Sequence, residues 1–171
     1  GDFAPQRYNL GNLEQKLGNA EKAKKFYHEA LDIDDQFFPA KVNLAMVLNR
    51  EGNNVEAEKL LREVVAAHPE LYETVYSLGL LLAEMAKYED AALYLGRAAD
   101  GLPYFSRARY NQGLALLKLE RYQEGAEILH KSVMQDPENE EYFNTLINLY
   151  LSFRMTERAR KLAEEMIGRV P

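Results

Sequence analysis

Apolar residues recur every three or four positions along most of this chain, which is the spacing of amphipathic helices. In residues 21–33 the apolar stripe consists of Ala23, Phe26, Tyr27, Ala30 and Leu31. The preceding segment begins with Pro5, which suits the first turn of a helix, and has the same spacing up to about Lys16. Between the two segments, Gly18 tolerates a positive φ and Asn19 is suited to cap the second helix. The pattern therefore predicts two helices joined by a tight turn.

This helix pair recurs at a fixed spacing of 34 residues. Small residues align in columns at that period: Gly11, Ala45, Gly79 and Gly113; Ala23, Ala57, Ala91, Gly125 and Ala159; and Ala30, Val64, Ala98, Ser132 and Met166. A turn column contains Asp35, Pro69, Pro103, Pro137 and Pro171. Such self-similarity is typical of helical repeat proteins. We expect one array over residues 1–171, with repeats at approximately 4–37, 38–71, 72–105, 106–139 and 140–171.

The connections between the predicted helices are short, so consecutive helices should pack as antiparallel hairpins in an all-α fold. The repeated motif resembles the tetratricopeptide repeat. The residues that carry the resemblance are Leu10, Gly11, Ala23, Tyr27 and Ala30 in repeat 1, and Leu78, Gly79, Tyr88, Ala91, Ala98 and Pro103 in repeat 3. The resemblance implies a right-handed superhelical solenoid in which these residues form the framework and the first helix of each repeat lines a concave groove.

One stripe of each first helix lies opposite the stripe that packs on the second helix. In tetratricopeptide arrays this stripe faces the groove, so the resemblance identifies candidate peptide-binding residues. They are Tyr8, Asn9, Asn12, Val42, Asn43, Met46, Tyr76, Leu80, Arg107, Tyr110, Asn111 and Leu114. Their chemistry suggests two kinds of contact with a partner.

The first kind is polar. The sixth position of successive repeats is occupied by Asn9, Asn43, Ser77, Asn111 and Thr145. An amide side chain is both a donor and an acceptor, so a ladder of them suits the backbone of an extended peptide. The alternative is that these side chains bridge neighbouring helices, because buried polar groups also need partners.

The second kind is apolar. An apolar and aromatic band is predicted at Tyr8, Tyr76, Tyr110, Val42, Met46, Leu80, Leu114 and Leu117. An exposed band of this size would mark an interaction site, including one for self-association. The alternative is that the curvature of the array buries part of it between adjacent first helices.

Repeat 5 departs from the pattern, because Ile147 and Met166 are larger than the residues expected at their columns. We expect this repeat either to change the angle between its helices or to form the terminal cap of the array. No later helix of the chain follows it. Leu162, Met166, Ile167 and Val170 are therefore predicted to form an uncovered apolar face, which either further chain or a partner would cover.

Composition excludes several classes of function. The net charge is -6 and no basic stripe is present, so we expect no nucleic-acid ligand. The chain has no cysteine, which rules out disulfides and thiolate metal sites but leaves the compartment, cytoplasmic or periplasmic, open. No apolar run approaches the roughly 20 residues of a membrane-spanning helix, so we expect a soluble protein without membrane insertion. The opening residues, without Met or a signal peptide, suggest a segment of a longer protein.

We expect neither an enzyme nor a cofactor or metal site. His28, His68 and His130 lie on separate repeats and do not form a predicted acid–base pair or ligand set. The preferred function is a protein–protein interaction scaffold that binds an extended peptide or a helix in its concave groove. The alternatives are a self-assembling structural module and a tetratricopeptide segment of a larger multidomain bacterial protein. Expected partners are a protein or peptide, with a homo-oligomer also possible.

Overall fold

The computed structural model describes residues 3–167, which form ten α-helices and contain no strand. The helices are α1 Ala4–Lys16, α2 Ala20–Ile33, α3 Phe38–Arg50, α4 Asn54–Ala67, α5 Tyr72–Glu84, α6 Tyr88–Gly101, α7 Ser106–Lys118, α8 Tyr122–Gln135, α9 Glu140–Ser152 and α10 Thr156–Ile167. The all-α helical-repeat prediction is confirmed. The helices α3, α5, α7 and α9 begin at the residues where the 34-residue register begins each new repeat.

The turn inside each helix pair uses a left-handed residue at one fixed position. Its φ is 80° at Gly18, 82° at Gly52, 57° at Ala86, 61° at Glu120 and 55° at Arg154. Glycine adopts this conformation without steric penalty, whereas an L-residue is destabilised there by about 1–2 kcal/mol. The last three turns therefore retain the geometry although they lack the glycine.

The chain divides into two compact units, residues 1–81 and 82–171. In the first unit α1 packs on α2, α2 on α3 and α3 on α4. Gly11 and the buried Tyr27 set the separation of the first pair, because a Cβ atom built on Gly11 would lie only 2.5 Å from a ring carbon of Tyr27. A side chain at this position would force the two helices apart.

In the second unit α6 packs on α7, α7 on α8, α8 on α9 and α9 on α10. The pair α7 and α8 meets at two glycines. A Cβ atom on Gly113 would lie 2.7 Å from Leu129, and one on Gly125 would lie 2.6 Å from Leu117 and 3.2 Å from the carbonyl oxygen of Gly113. A methyl group at residue 125, where other repeats carry alanine, would therefore require Leu117 to move and would crowd the backbone oxygen of Gly113.

The predicted uncovered face at the end of repeat 5 is wrong for two of its residues. Leu162 and Met166 are buried, in the same core cluster as Leu146 and Tyr150 of α9. They face the first helix of their own repeat rather than outward, so no later helix is needed to cover them. Ile167 is 80% exposed, as expected, and Val170 lies outside the described residues.

Two further expectations need correction in α1 and the turn after it. Leu10, which the motif assigns to the framework, is 41% exposed on the outside of α1. Asn19 stands at the N-cap position of α2, but its side chain makes no capping hydrogen bond. It donates instead to Glu14 at 2.7 Å and so ties the turn to α1.

Candidate functional site

A chain of polar side chains links α1, α2 and α3 in the first unit. Asn43 Nδ2 donates to Asn12 Oδ1 at 2.7 Å and to the Tyr8 hydroxyl at 3.3 Å. The Tyr27 hydroxyl lies 2.9 Å from Asn12 Oδ1 and 2.6 Å from Gln15 Oε1. Because a hydroxyl carries one hydrogen, Tyr27 shares it between these two oxygens. The cluster fixes the orientation of both asparagine amides.

Aromatic packing supports this polar cluster. The Tyr8 ring lies 6.0 Å from the Tyr27 ring and meets Phe37 edge-on at 5.5 Å, as measured between ring centroids. Burial raises the pKa of Tyr27 above its ordinary value of 10.0, so its hydroxyl remains protonated at neutral pH. The donor on which Asn12 and Gln15 depend is therefore present throughout the physiological range.

The cluster opens into a hollow of about 380 Å³ lined by Asn12, Gln15, Lys16, Asn43 and Arg50. Within residues 3–167, Asn12 Nδ2 and Asn43 Oδ1 have no hydrogen-bond partner, so one donor and one acceptor are available to a ligand. Lys16 and Arg50 are exposed, and neither is within ion-pair distance of a carboxylate in the same part of the chain. We refer to these five lining residues as the amide hollow.

The other predicted residues of the first unit lie outside the amide hollow. Asn9 is exposed, and the side chains of Val42, Met46, Tyr76 and Leu80 are half-buried. Ser77 is the residue of α5 at the repeat position of Asn43, but it does not bridge two helices. Its hydroxyl donates a 3.0 Å hydrogen bond to the backbone oxygen of Glu73 in the preceding turn of the same helix.

The second unit presents aromatic rings at the corresponding positions. Tyr110 is 5% exposed, its ring stacks on Tyr142 with centroids 4.4 Å apart, and its hydroxyl lies 3.0 Å from Thr145 Oγ1. The Arg107 guanidinium lies over both rings, 5.5 Å and 5.1 Å from their centroids. It also pairs with Glu141 at 2.7 Å, so its charge is compensated within the unit. Burial raises the pKa of Tyr110 as it does that of Tyr27.

The predicted apolar band is not an open patch. Tyr110 is buried, which contradicts its expected exposure, because it stacks on the following first helix. Leu114, Leu117 and Asn111 are half-buried. The alternative, in which part of the band is buried between adjacent first helices, therefore describes these residues better than an exposed band does.

The bridging alternative holds for two of the sixth-position residues. Asn43 contacts Tyr8, and Thr145 contacts Tyr110, in both cases across 35 residues from the fifth position of one repeat to the sixth of the next. The same contact thus recurs in both units. In Asn43 the bridge occupies the amide nitrogen only.

Lys16 and Arg50 lie on the groove stripe of the first helices, as the two asparagines do, whereas sequence reasoning missed Tyr27 and Gln15. The repeat motif assigns Tyr27 to the framework alone, and nothing in it singles out Gln15. A signal for both exists in the repeat columns, because Tyr27 occupies a column that holds Leu61, Leu95 and Leu129 in the next three repeats. A hydroxyl in an otherwise aliphatic column predicts polar partners nearby.

Candidate metal-ligand clusters and membrane-spanning helices were sought among residues 3–167. Residues 3–167 contain no group of three or more His, Asp or Glu side chains placed to hold a metal ion. No helix in the same range is long and apolar enough to cross a bilayer. His130 lies instead 3.3 Å from Glu165, as an ordinary contact between α8 and α10.

Comparison with known structures confirms the fold. MamA from Desulfovibrio magneticus RS-1 aligns with a TM-score of 0.85 at 22% identity, covering 98% of this chain and 95% of that one. YrrB, described as a tetratricopeptide repeat protein with an unusual peptide-binding site, aligns with a TM-score of 0.80 at 23% identity, covering 95% and 84%. PilF of Pseudomonas aeruginosa aligns with a TM-score of 0.77 at 25% identity, covering 98% and 77%.

Sequence comparison identifies the family directly. No curated protein sequence matches the chain. Two family models do, both described as tetratricopeptide repeat, over residues 14–79 and 76–140. Together they cover most of the chain, and their matches fall on the helix pairs that carry the small-residue columns. The chain therefore belongs to the tetratricopeptide repeat family.

Proposed function

We propose that this protein is an interaction scaffold that binds an extended peptide segment along α1 and α3, with an acidic group of the peptide in the amide hollow. The amide hollow carries this proposal. It combines an available amide donor, an available amide acceptor and two cationic side chains without an internal carboxylate partner.

The two asparagines suit the backbone of an extended peptide. A peptide group has one carbonyl acceptor and one N–H donor, and extended segments present both along an edge. Asn12 Nδ2 would donate to the carbonyl, and Asn43 Oδ1 would accept from the N–H. Because Tyr8 and Tyr27 already hold these amides in place, little side-chain entropy is lost on binding.

Lys16 and Arg50 supply the preference for an acidic group. Both occupy the same repeat position, at the end of α1 and of α3. Exposed charges contribute modestly, about 0.2–1 kcal/mol for each pair, but they discriminate strongly between a carboxylate and an ammonium group. We therefore expect the charge to set selectivity and the amides to set orientation.

Membership of the tetratricopeptide repeat family supports a protein-interaction role in general terms, since such repeats typically serve as non-enzymatic scaffolds. The peptide-binding site described for YrrB is consistent with the use of this fold for peptides. The residues and the acidic preference proposed for the present chain rest on the amide hollow alone.

Fluorescence anisotropy tests the charge preference. Two labelled ten-residue peptides that differ only in having Glu or Lys at the central positions should bind differently, with the Glu peptide tighter by about tenfold. Replacing Lys16 and Arg50 by Ala should weaken binding of the Glu peptide about three- to tenfold. Lys118→Ala is the matched control, because Lys118 occupies the same position in the second unit. Equal binding of the two peptides would contradict the proposal.

Asn12→Ala tests the amide contact separately. This variant should weaken binding of both peptides by a similar factor of about five, because it removes a contact with the peptide backbone and leaves the charges unchanged. The control is Asn148→Ala, at the ninth position of repeat 5, which is exposed and lies in the second unit. A loss of the same size in the control would show that the amide hollow is not the site.

A further inference from the structure

A second hollow, of about 220 Å³, lies where α8, α9 and α10 of the second unit meet. One lining residue comes from α8, one from α9 and four from α10: His130, Tyr150, Arg158, Lys161, Leu162 and Glu165. The α10 residues follow one another at intervals of three, one and three positions, so they share one face of that helix. We refer to these six residues as the α8–α10 hollow. It shares no residue with the amide hollow.

The hydroxyl of Tyr150 is an unused donor in this hollow. The residue is 7% exposed, and its hydroxyl has no hydrogen-bond partner within residues 3–167. Burial raises the pKa of Tyr150 above its ordinary value of 10.0, so the hydroxyl is protonated at neutral pH and can donate. The charges that act on it are those of Arg158, Glu165 and Glu127, and the first two line the hollow. Because a largely buried donor without a partner is costly, this hydroxyl indicates an acceptor from outside the described chain.

Two cations of α10 border the same hollow without a carboxylate partner. Arg158 and Lys161 are exposed, and neither lies within ion-pair distance of a carboxylate in residues 3–167. The carboxylate of the lining, on Glu165, lies 3.3 Å from His130 instead. Two cations against one carboxylate leave the lining with a net positive charge. The acceptor that suits the hollow is therefore an anion.

The preceding repeat contains the equivalent hollow with the opposite charge. It lies where α6, α7 and α8 meet, and it is open although two further helices follow α8. A hollow of this kind thus does not require a position in the last repeat. Here a leucine stands at the repeat position of Tyr150, and glutamates stand at those of the two cations: Leu116, Glu124 and Glu127. Its own cation, Arg121, pairs with Glu124 at 2.6 Å. The unpaired cations and the hydroxyl therefore distinguish the α8–α10 hollow from a general feature of the repeat.

We propose that the α8–α10 hollow binds a phosphate group, with Arg158 and Lys161 supplying charge and the Tyr150 hydroxyl donating a hydrogen bond. A phosphate suits the hollow better than a carboxylate does, because the donors come from two helices and a tetrahedral dianion presents oxygens in several directions. Both cations are exposed, so we expect weak binding with a Kd on the order of 1 mM. The group belongs either to free phosphate or to a phosphate monoester, which share this chemistry.

Proton NMR of the histidine rings tests the proposal on the full chain. Of the three histidines, His130 lines the hollow, whereas His28 and His68 lie in the first unit and serve as internal controls. Inorganic phosphate, exchanged for sodium chloride at constant ionic strength and pH, should shift the His130 signals along a saturating curve and leave the other two unchanged. Acetate should bind at least about fivefold more weakly. Equal shifts at all three histidines, a His130 shift without saturation, or equal binding of acetate would overturn the proposal.

A parallel titration with glycerol 1-phosphate identifies the source of the group. Binding within about threefold of inorganic phosphate would show that the hollow accepts the esterified group, because three oxygens remain free. Binding at least about tenfold weaker would show that it takes the free ion. Either result supports a phosphate site.

Tyr150→Phe isolates the contribution of the hydroxyl. It should weaken phosphate binding about tenfold, since a hydrogen bond to a charged group is lost. The melting temperature should stay within about 2 °C of the wild type, because the hydroxyl has no partner to lose within residues 3–167. Tyr110→Phe, which removes a hydroxyl outside the hollow, is the matched control and should leave phosphate binding unchanged. Unchanged binding in folded Tyr150→Phe would contradict the proposed donor.

Charge reversal on α10 tests the cations. Arg158→Glu and Lys161→Glu introduce the residue that the preceding repeat carries at each position, so the helix should be retained, as circular dichroism can check. Each should weaken phosphate binding about tenfold or more. Glu165→Gln should tighten it about twofold, because it removes the opposing charge. Arg160→Glu is the matched control, since it makes the same charge change on α10 outside the hollow, and it should alter the Kd less than about twofold. An equal loss in the control would show that phosphate responds only to overall charge and would overturn the proposal.

Discussion

The two units of this protein carry the same framework and different surfaces. Leu61 in the first unit and Leu129 in the second occupy one column and are both buried. At the surface, however, Asn12 and Gln15 of α1 correspond to Leu114 and Leu117 of α7. Amides meet a buried tyrosine hydroxyl in one case, and aliphatic side chains cover the helix in the other. The repeat thus constrains the interior columns and leaves the first-helix surface free to differ.

The difference also shows how the surfaces are held. In the first unit the contact between the fifth and sixth repeat positions joins Tyr8 to the amide nitrogen of Asn43, and the Asn43 amide oxygen has no partner within residues 3–167. In the second it is part of an aromatic stack closed by an arginine and a glutamate. One surface has polar groups available for a ligand, and the other satisfies its charges internally. The following variants compare the two units position by position.

The largest losses of stability are expected in the buried leucine column, and they should be equal in the two units. Leu61→Ala and Leu129→Ala should each lower the free energy of unfolding by about 3 kcal/mol, because each leaves a cavity in a fully packed column. Urea denaturation followed by circular dichroism measures both. A difference of more than about 2 kcal/mol between them would show that the column is not a shared framework.

The glycine columns should respond unequally. Alanine at residue 11 meets the rigid ring of Tyr27 at 2.5 Å, whereas alanine at residue 113 meets the branched end of Leu129 at 2.7 Å. We expect Gly11→Ala to destabilise the protein by about 2 kcal/mol and Gly113→Ala by about 1 kcal/mol, after a gain in helix propensity. Gly11→Ala should also weaken peptide binding, since it displaces Tyr27 from Asn12. Equal losses of stability with unchanged binding would argue against this distinction.

Removing a single tyrosine hydroxyl should have different effects in the two units. Tyr27→Phe leaves Gln15 Oε1 without its donor and leaves Asn12 Oδ1 with Asn43 alone, and it should reduce stability by about 1 kcal/mol. Tyr110→Phe removes one contact to Thr145 and should be about half as costly. Only Tyr27→Phe should affect binding of the acidic peptide. Thermal unfolding and anisotropy measurements on the same samples distinguish these outcomes.

The smallest effects concern the left-handed turn position. Gly52→Ala should destabilise the protein by about 1 kcal/mol, because φ is 82° and no neighbouring atom compensates for the strain. Glu120→Gly, at the equivalent turn of the second unit, should stabilise it by about 0.5 kcal/mol. Changes of the same sign in both variants would mean that contacts of the Glu120 side chain outweigh the backbone conformation.

The repeat columns explain why the helices were predictable. Small residues recur where helices approach closely, as at Gly11 and Gly113, and a glycine or polar turn interrupts each pair. These are local and periodic properties, so a single sequence contains them five times. The positive φ at Gly18 and the start of α3 at Phe38 followed from them directly.

Burial in α1 and α10 was less predictable, because it depends on which neighbouring helix is present. Leu10 and Leu44 are the same residue at the same repeat position, but within residues 3–167 only Leu44 lies on a helix, α3, that packs against the second helix of an earlier repeat, α2. Met166 shows the opposite error, since it looks unpartnered in sequence and is buried against its own repeat. The amide hollow was half visible: its asparagines follow from the groove stripe, whereas the role of Tyr27 depends on a contact across 15 residues.

The contact between Tyr8 and Asn43 makes the amide hollow a property of two consecutive repeats. Exchanging repeat 2 alone for another repeat of the family would keep every framework column and still lose the hollow, unless the incoming unit carried an amide at the sixth position. Conversely, repeats 1 and 2 transplanted together would carry the hollow with them. For recombination, and for protein engineers who shuffle such arrays, the proposed recognition site would therefore be inherited only as a pair of repeats.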